Sequence, residues 1–78
     1  MMNYRECKEI ALKKAERINA TLDKAYSIGP DYVFDSSTDE YAGVIPVVVS
    51  AETGECKGLW QYLIDNDLTM EDMTEVEF

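Results

Sequence analysis

The stretch that decides the fold is Lys24–Ser36, KAYSIGPDYVFDS. Gly29-Pro30 stands at its centre as a turn signal, with Tyr, Ile, Val and Phe on either side. Residues of that kind fit a pleated, half-buried surface, and two such runs joined by a tight turn make an antiparallel hairpin. The pattern predicts strands at about 23–28 and 31–36.

Upstream of the hairpin, the apolar period changes. Tyr4, Cys7, Ala11, Ala15, Ile18 and Leu22 recur every three or four residues, which is one face of an α-helix. Asn3 suits the N-cap, and Glu6 three residues later completes a capping box. The helix is expected to stop near Asn19–Thr21, where Asn and Thr weaken it.

Downstream, SSTDEYAG reads as a polar loop and Val44–Ser50 as a third strand, the most apolar in the chain and therefore expected to be central. Pro46 has no N–H to give a ladder, so a local gap in pairing is expected there. SAETGE is a turn, with Gly54 suited to positive φ. In GLWQYLID, Leu59, Trp60, Leu63 and Ile64 fall at helical spacing. Thr69 followed by Asp72 signals a further helical turn over Met70–Thr74. Val76 and Phe78 alternate with Glu75 and Glu77, as in a short strand. The order is α-β-β-β-α: a single α+β domain over residues 1–78, with helices on one face of a three-stranded antiparallel meander.

At 78 residues the chain buries a core of limited size, and a stability of about 4–8 kcal/mol is expected. MMNYRECKEI has no apolar h-region and Val44–Val49 is too short to span a bilayer, so a cytoplasmic protein with reduced Cys7 and Cys56 is the expectation. The net charge of −9 is unevenly spread. Residues 1–24 carry six basic groups (Arg5, Lys8, Lys13, Lys14, Arg17, Lys24) and four acidic ones, for +2. Residues 25–78 carry Lys57 against twelve acids, for −11. Such a chain repels nucleic acid and anionic membranes and attracts basic surfaces.

Catalytic chemistry finds few residues to work with. The chain has no His, which removes the commonest general base and most zinc sites. Cys7 lies near Arg5 and Lys8 but reads as a small hydrophobe of the helix face. Asp65-Asn66-Asp67 begins like a calcium loop, yet Met70 and Val76 stand where Gly and a bidentate Glu are required. The run from Asp35 to Asp39 fails likewise. Asp31, Asp35 and Glu40 could pair as carboxylates, but sequence sets no separation between them. No enzyme, no cofactor and no metal site is expected. The same helix–strand order occurs in double-stranded-RNA-binding domains, but a single basic residue beyond position 24 argues against that use.

A resemblance adds a narrower expectation. Tyr32-Val33-Phe34, then Ala42-Gly43, Pro46-Val47-Val48-Val49 and Gly54, resemble the shared core of small bacterial immunity proteins that pair with polymorphic toxins. The likeness covers about residues 31–54, with a weaker echo at Tyr62-Leu63. Tyr32 stands where that family tends to carry Trp, and the loop before Tyr41 is shorter. The resemblance implies a non-catalytic protein that binds and neutralises a cognate toxin.

The leading expectation is a small acidic protein-binding module, of immunity or inhibitor type, with a basic protein partner such as a toxin or nuclease. Its contact residues are expected at Asp35, Asp39, Glu40 and Tyr41 in the loop and at Glu71, Asp72 and Glu75 in the tail. Tyr41 would be the aromatic anchor among carboxylates. Two alternatives share the acidic surface: a phage-type mimic of nucleic acid (an anti-restriction or anti-CRISPR inhibitor), and a housekeeping domain whose charge serves solubility. Trp60, Met70, Met73, Val76 and Phe78 exceed what a small core readily buries, so a homodimer is a further reading.

Overall fold

The helix and hairpin legible in the sequence form the spine of the molecule. The computed structural model describes residues 1–37 and 45–78. Helix α1 spans Tyr4–Arg17 behind the expected capping box, in which the Asn3 side chain accepts from the Glu6 N–H and the Glu6 carboxylate accepts from the Asn3 N–H. It ends in a Schellman turn. Asn19 takes φ +57, its N–H donates to the Glu16 carbonyl, and the Ala20 N–H donates to the Ala15 carbonyl.

Strands β1 (Lys24–Ile28) and β2 (Asp31–Asp35) pair around Gly29-Pro30, with Gly29 at φ +56. Strand β3 is Val47–Val49 and pairs with β2. The pairing gap falls where Pro46 predicts it: Ile45 makes an isolated bridge, the Ile45–Pro46 bond is cis, and the strand begins one residue later. A turn with Gly54 at φ +80 leads to β4 (Cys56–Gly58), then to helix α2 (Leu59–Asp65). The positive φ favours glycine there, and a Cβ would lie 3.0 Å from Met2 Cε, the end of a flexible side chain that would have to shift slightly. Helix α2 ends as α1 does, with Asp67 at φ +53, the Leu68 N–H on the Leu63 carbonyl and the Asp67 N–H on the Ile64 carbonyl. A 3-10 turn, η1 (Met70–Asp72), then enters β5 (Met73–Val76).

Among the described residues the sheet has five antiparallel strands in the order β4-β3-β2-β1-β5. The α+β class stands, and three expectations are corrected. Strand β4 was hidden in a stretch read as turn and helix start, because Cys56-Lys57-Gly58 is too short for a period to show. Strand β3 is interior, but β2 holds the middle position. The helices also lie on opposite faces of the sheet, not on one. Phe34, Val47, Val49 and Ala25 pack with Cys7, Ala11 and Ala15 of α1. Ile28, Val33 and Val48 pack with Leu59, Tyr62 and Leu63 of α2.

A sheet covered on both sides explains its sequence. Val47, Val48 and Val49 are all buried, as are Val33 and Phe34, so the inner strands read as continuous apolar runs instead of an alternation.

Candidate functional site

The residues expected to bind a partner separate in space. Asp39, Glu40 and Tyr41 lie outside the described residues. Asp35 closes β2, opposite Lys24 of β1, on the α2 face. Its carboxylate accepts the Ser36 N–H at 2.7 Å. Glu75 is exposed on β5, opposite Tyr26, on that same face. Asp72 is turned inward on its own segment: its carboxylate accepts the Thr69 N–H at 2.8 Å and caps η1. Glu71 is exposed beside it. Asp35 and Glu75 thus share a face, whereas Glu71 and Asp72 sit at the far end of β5.

Asp31 and Asp35 do not form a close carboxylate pair. Both stand on the α2 face of β2, but four residues of extended chain hold them about 13 Å apart. Asp31 is instead the one charged residue buried among the described residues, at 9% exposure. Its Oδ1 accepts the Ala51 N–H at 2.9 Å, and its Oδ2 accepts the Tyr62 hydroxyl at 2.6 Å. One carboxylate therefore ties the hairpin to the β3–β4 turn and to α2. Burial, and then the hydrogen bond it donates to the Asp31 carboxylate, push the Tyr62 hydroxyl up to about 12.

Around this pair opens a polar cleft of about 220 Å³, lined also by Ser50, Thr53, Glu55, Lys57 and Asn66. The two hydroxyls serve the turn, Ser50 accepting the Thr53 N–H and Thr53 accepting the Glu55 N–H. Lys57 is already engaged, with its ammonium 2.9 Å from Asp65 Oδ2. Lys57 and the Gln61 amide together hold the Asp65 carboxyl below the usual carboxylate range. The sequence marked Asp31 as a candidate carboxylate but carried no signal of the cleft, whose walls come from four separate segments.

The run Asp65-Asn66-Asp67 is the end of α2. Asp65 pairs with Lys57, the Asn66 amide donates to the Tyr62 carbonyl, and Asp67 supplies the left-handed residue. Cys7 and Cys56 are free thiols, Cys7 fully buried and Cys56 partly so, both within the α1-side core. Burial pushes both thiols up, with Asp31 and Glu6 adding to the effect at Cys7 and Lys14 opposing it at Cys56. They are weaker nucleophiles than free cysteine.

Beyond the cleft, α2 presents Trp60 and Ile64 to solvent, 56% and 74% exposed. Their i, i+4 spacing makes them neighbours on one helix face. Met70 is exposed as well, whereas Met73, Val76 and Phe78 are half-buried and pack on the core. Phe78 lies under the Lys8 ammonium, 4.1 Å from its ring centre. The acids Asp65, Asp67, Glu71 and Glu75 are exposed on this side of the molecule, while Arg5, Lys13 and Arg17 are exposed on α1. The charge asymmetry of the sequence becomes an asymmetry between the two sides of the sheet.

No helix among the described residues is long and apolar enough to cross a membrane. No protein-family model, no curated protein and no solved structure matches this chain.

Proposed function

We propose that the chain is a protein-binding module of immunity or inhibitor type, and that its α2 side meets a basic protein partner such as a toxin or nuclease. The observation that carries this reading is the exposed Trp60–Ile64 pair beside Asp65 and Asp67. A large aromatic set among carboxylates is the composition of an interface anchor with a charged rim. The acidic side steers a basic partner during encounter, and that benefit shrinks as salt rises. The cleft adds a place for a basic side chain, because the Glu55 carboxylate lines it while its one cation among the described residues, Lys57, is paired with Asp65.

The test is affinity capture with tagged protein from the source cell at low and at high salt, then titration of the purified partner against Trp60→Ala and Ile64→Ala. A basic protein retained at low salt, weakened at high salt and weakened at least about tenfold by Trp60→Ala is the expected result. A partner indifferent to both salt and Trp60 would overturn the reading. Displacement of nucleic acid from that partner would instead identify the chain as a nucleic-acid mimic.

A further inference from the structure

The outer edge of the sheet at β5 has a defined set of open main-chain groups. In β3, the Ser50 N–H donates to the Glu55 carbonyl, and the Pro46 carbonyl accepts from the Leu59 N–H, so residues 46, 48 and 50 face β4. Hydrogen-bond direction alternates along an antiparallel ladder. Carried across the registers, this turns Val47 and Val49 toward β2, Val33 toward β1, and Ala25 and Ser27 toward β5. Thr74 and Val76 of β5 therefore bond inward to β1, and Met73 and Glu75 point outward. The Met73 N–H is taken by the Met70 carbonyl that closes η1. The Met73 carbonyl and both main-chain groups of Glu75 have no strand beside them among the described residues.

We propose that this edge accepts an extended basic segment of the partner protein as a sixth strand, an inference that rests on the reading of the chain as a binder of basic proteins. Three features select that occupant. From Met70 to Phe78 the chain carries Glu71, Asp72, Glu75 and Glu77 and no basic residue. Natural edges are commonly blocked by Lys, Pro or a bulge, and β5 contains neither Lys nor Pro and pairs with β1 in unbroken register. A second copy laid antiparallel on β5 would set Glu75 against Glu75 or Glu77, like-charge pairings that disfavour self-association, or against Met73, whose N–H is already taken by the Met70 carbonyl.

The side chains define what the incoming strand must carry. Glu75 stands on the α2 face of β5, whereas Thr74 and Val76 stand on the α1 face. The complementary segment alternates Lys or Arg opposite Glu75 with β-branched residues opposite Thr74 and Val76. The opposite edge, β4, is three residues long and runs directly into α2, so it offers a shorter template.

The probe is a short synthetic peptide in which Lys alternates with Thr and Val, compared with a peptide of the same composition in which the lysines are contiguous. The alternating peptide should slow hydrogen exchange at the Glu75 amide, and the block peptide should not. Glu75→Pro removes the outward N–H together with the carboxylate and leaves the inward-bonding Thr74 and Val76 in place. It should weaken binding more than Glu75→Gln, which removes the charge alone, by about a further tenfold, the scale of one hydrogen bond to a strand. Glu75→Lys keeps the N–H, reverses the charge and should abolish binding of the alternating peptide, so the result does not depend on how well the proline variant folds. Unchanged exchange at Glu75 in millimolar peptide, or equal affinity of Glu75→Lys and the parent, overturns the proposal. A natural basic partner weakened by Trp60→Ala but indifferent to the Glu75 variants overturns the edge proposal alone and leaves the proposed function standing.

Discussion

On the α1 face the sheet meets Cys7, Ala11 and Ala15, small side chains that let the helix lie close on Phe34 and Val49. On the α2 face it meets Leu59, Tyr62 and Leu63, and the contact is pinned by a buried carboxylate. The first face is held mainly by packing, with the Met2 N–H on the Ala51 carbonyl and the Lys8 ammonium over Phe78 at its margins, and leaves one polar atom buried without a partner among the described residues, the Tyr4 hydroxyl. The second tolerates a buried charge because both Asp31 oxygens are hydrogen-bonded. The lesson is that small residues suffice where a long helix covers the sheet, whereas α2, only seven residues long, needs a polar tie to hold its place.

The largest expected effect tests the packed face. Phe34→Ala should cost about 4 kcal/mol, a cavity cost on the scale of the whole expected stability, and urea unfolding would show a domain near or past its midpoint without denaturant. Asp31→Ala comes next, at about 3 kcal/mol, because it leaves the Ala51 N–H and the Tyr62 hydroxyl without their acceptor. A loss below about 0.5 kcal/mol by the same measurement would break the comparison, since the α2 face would then need no polar tie.

Tyr62→Phe should cost about 1–2 kcal/mol and sharpen the contrast through pH. Tyr62 keeps its proton up to about pH 12 in the folded protein, whereas an unfolded tyrosine releases it near pH 10. Below about pH 10 both states hold the proton and the contribution is complete. Between about 10 and 12 the unfolded state loses its proton first, so stability falls as pH rises. Raised values at Tyr4, Cys7 and Cys56 act in the same direction. Denaturant midpoints across that range should fall less steeply for Tyr62→Phe than for the parent.

The smallest effect is expected on the α1 face, at Tyr4. Its hydroxyl is buried without a partner among the described residues, and its ring packs edge-on against Tyr32 and near Phe34. Tyr4→Phe keeps the ring and removes the unsatisfied group, so thermal unfolding should show no loss and a gain of up to about 1 kcal/mol. A clear destabilisation would mean that the hydroxyl has a partner and that the α1 face is polar after all.

The Asn3–Glu6 box, the hairpin around Gly29-Pro30, the break at Pro46, the positive φ at Gly54 and the Thr69–Asp72 turn were all legible in the sequence. Each depends on residues within a few positions of one another, so composition and spacing carry the information. The candidate site was legible only in part. Glu71 and Glu75 are exposed as an acidic tail suggests, but Asp72 spends its carboxylate on a cap, and the cleft had no local signal. Asp31 meets Ala51 and Tyr62 across separations of twenty and thirty-one residues, distances at which no sequence period survives.

The sequence by itself determined the α+β class, the ends of α1 and the acidic balance of everything after Lys24, because backbone propensity and charge are properties of local residues. Tertiary structure alone decided that α2 crosses to the face opposite α1, that Trp60 and Ile64 look outward while Tyr62 looks in, and that β5 is an edge of the sheet among the described residues. Helical spacing specifies a stripe but not the partner it covers, and a strand's place at an edge depends on which other strands are present to pair with it.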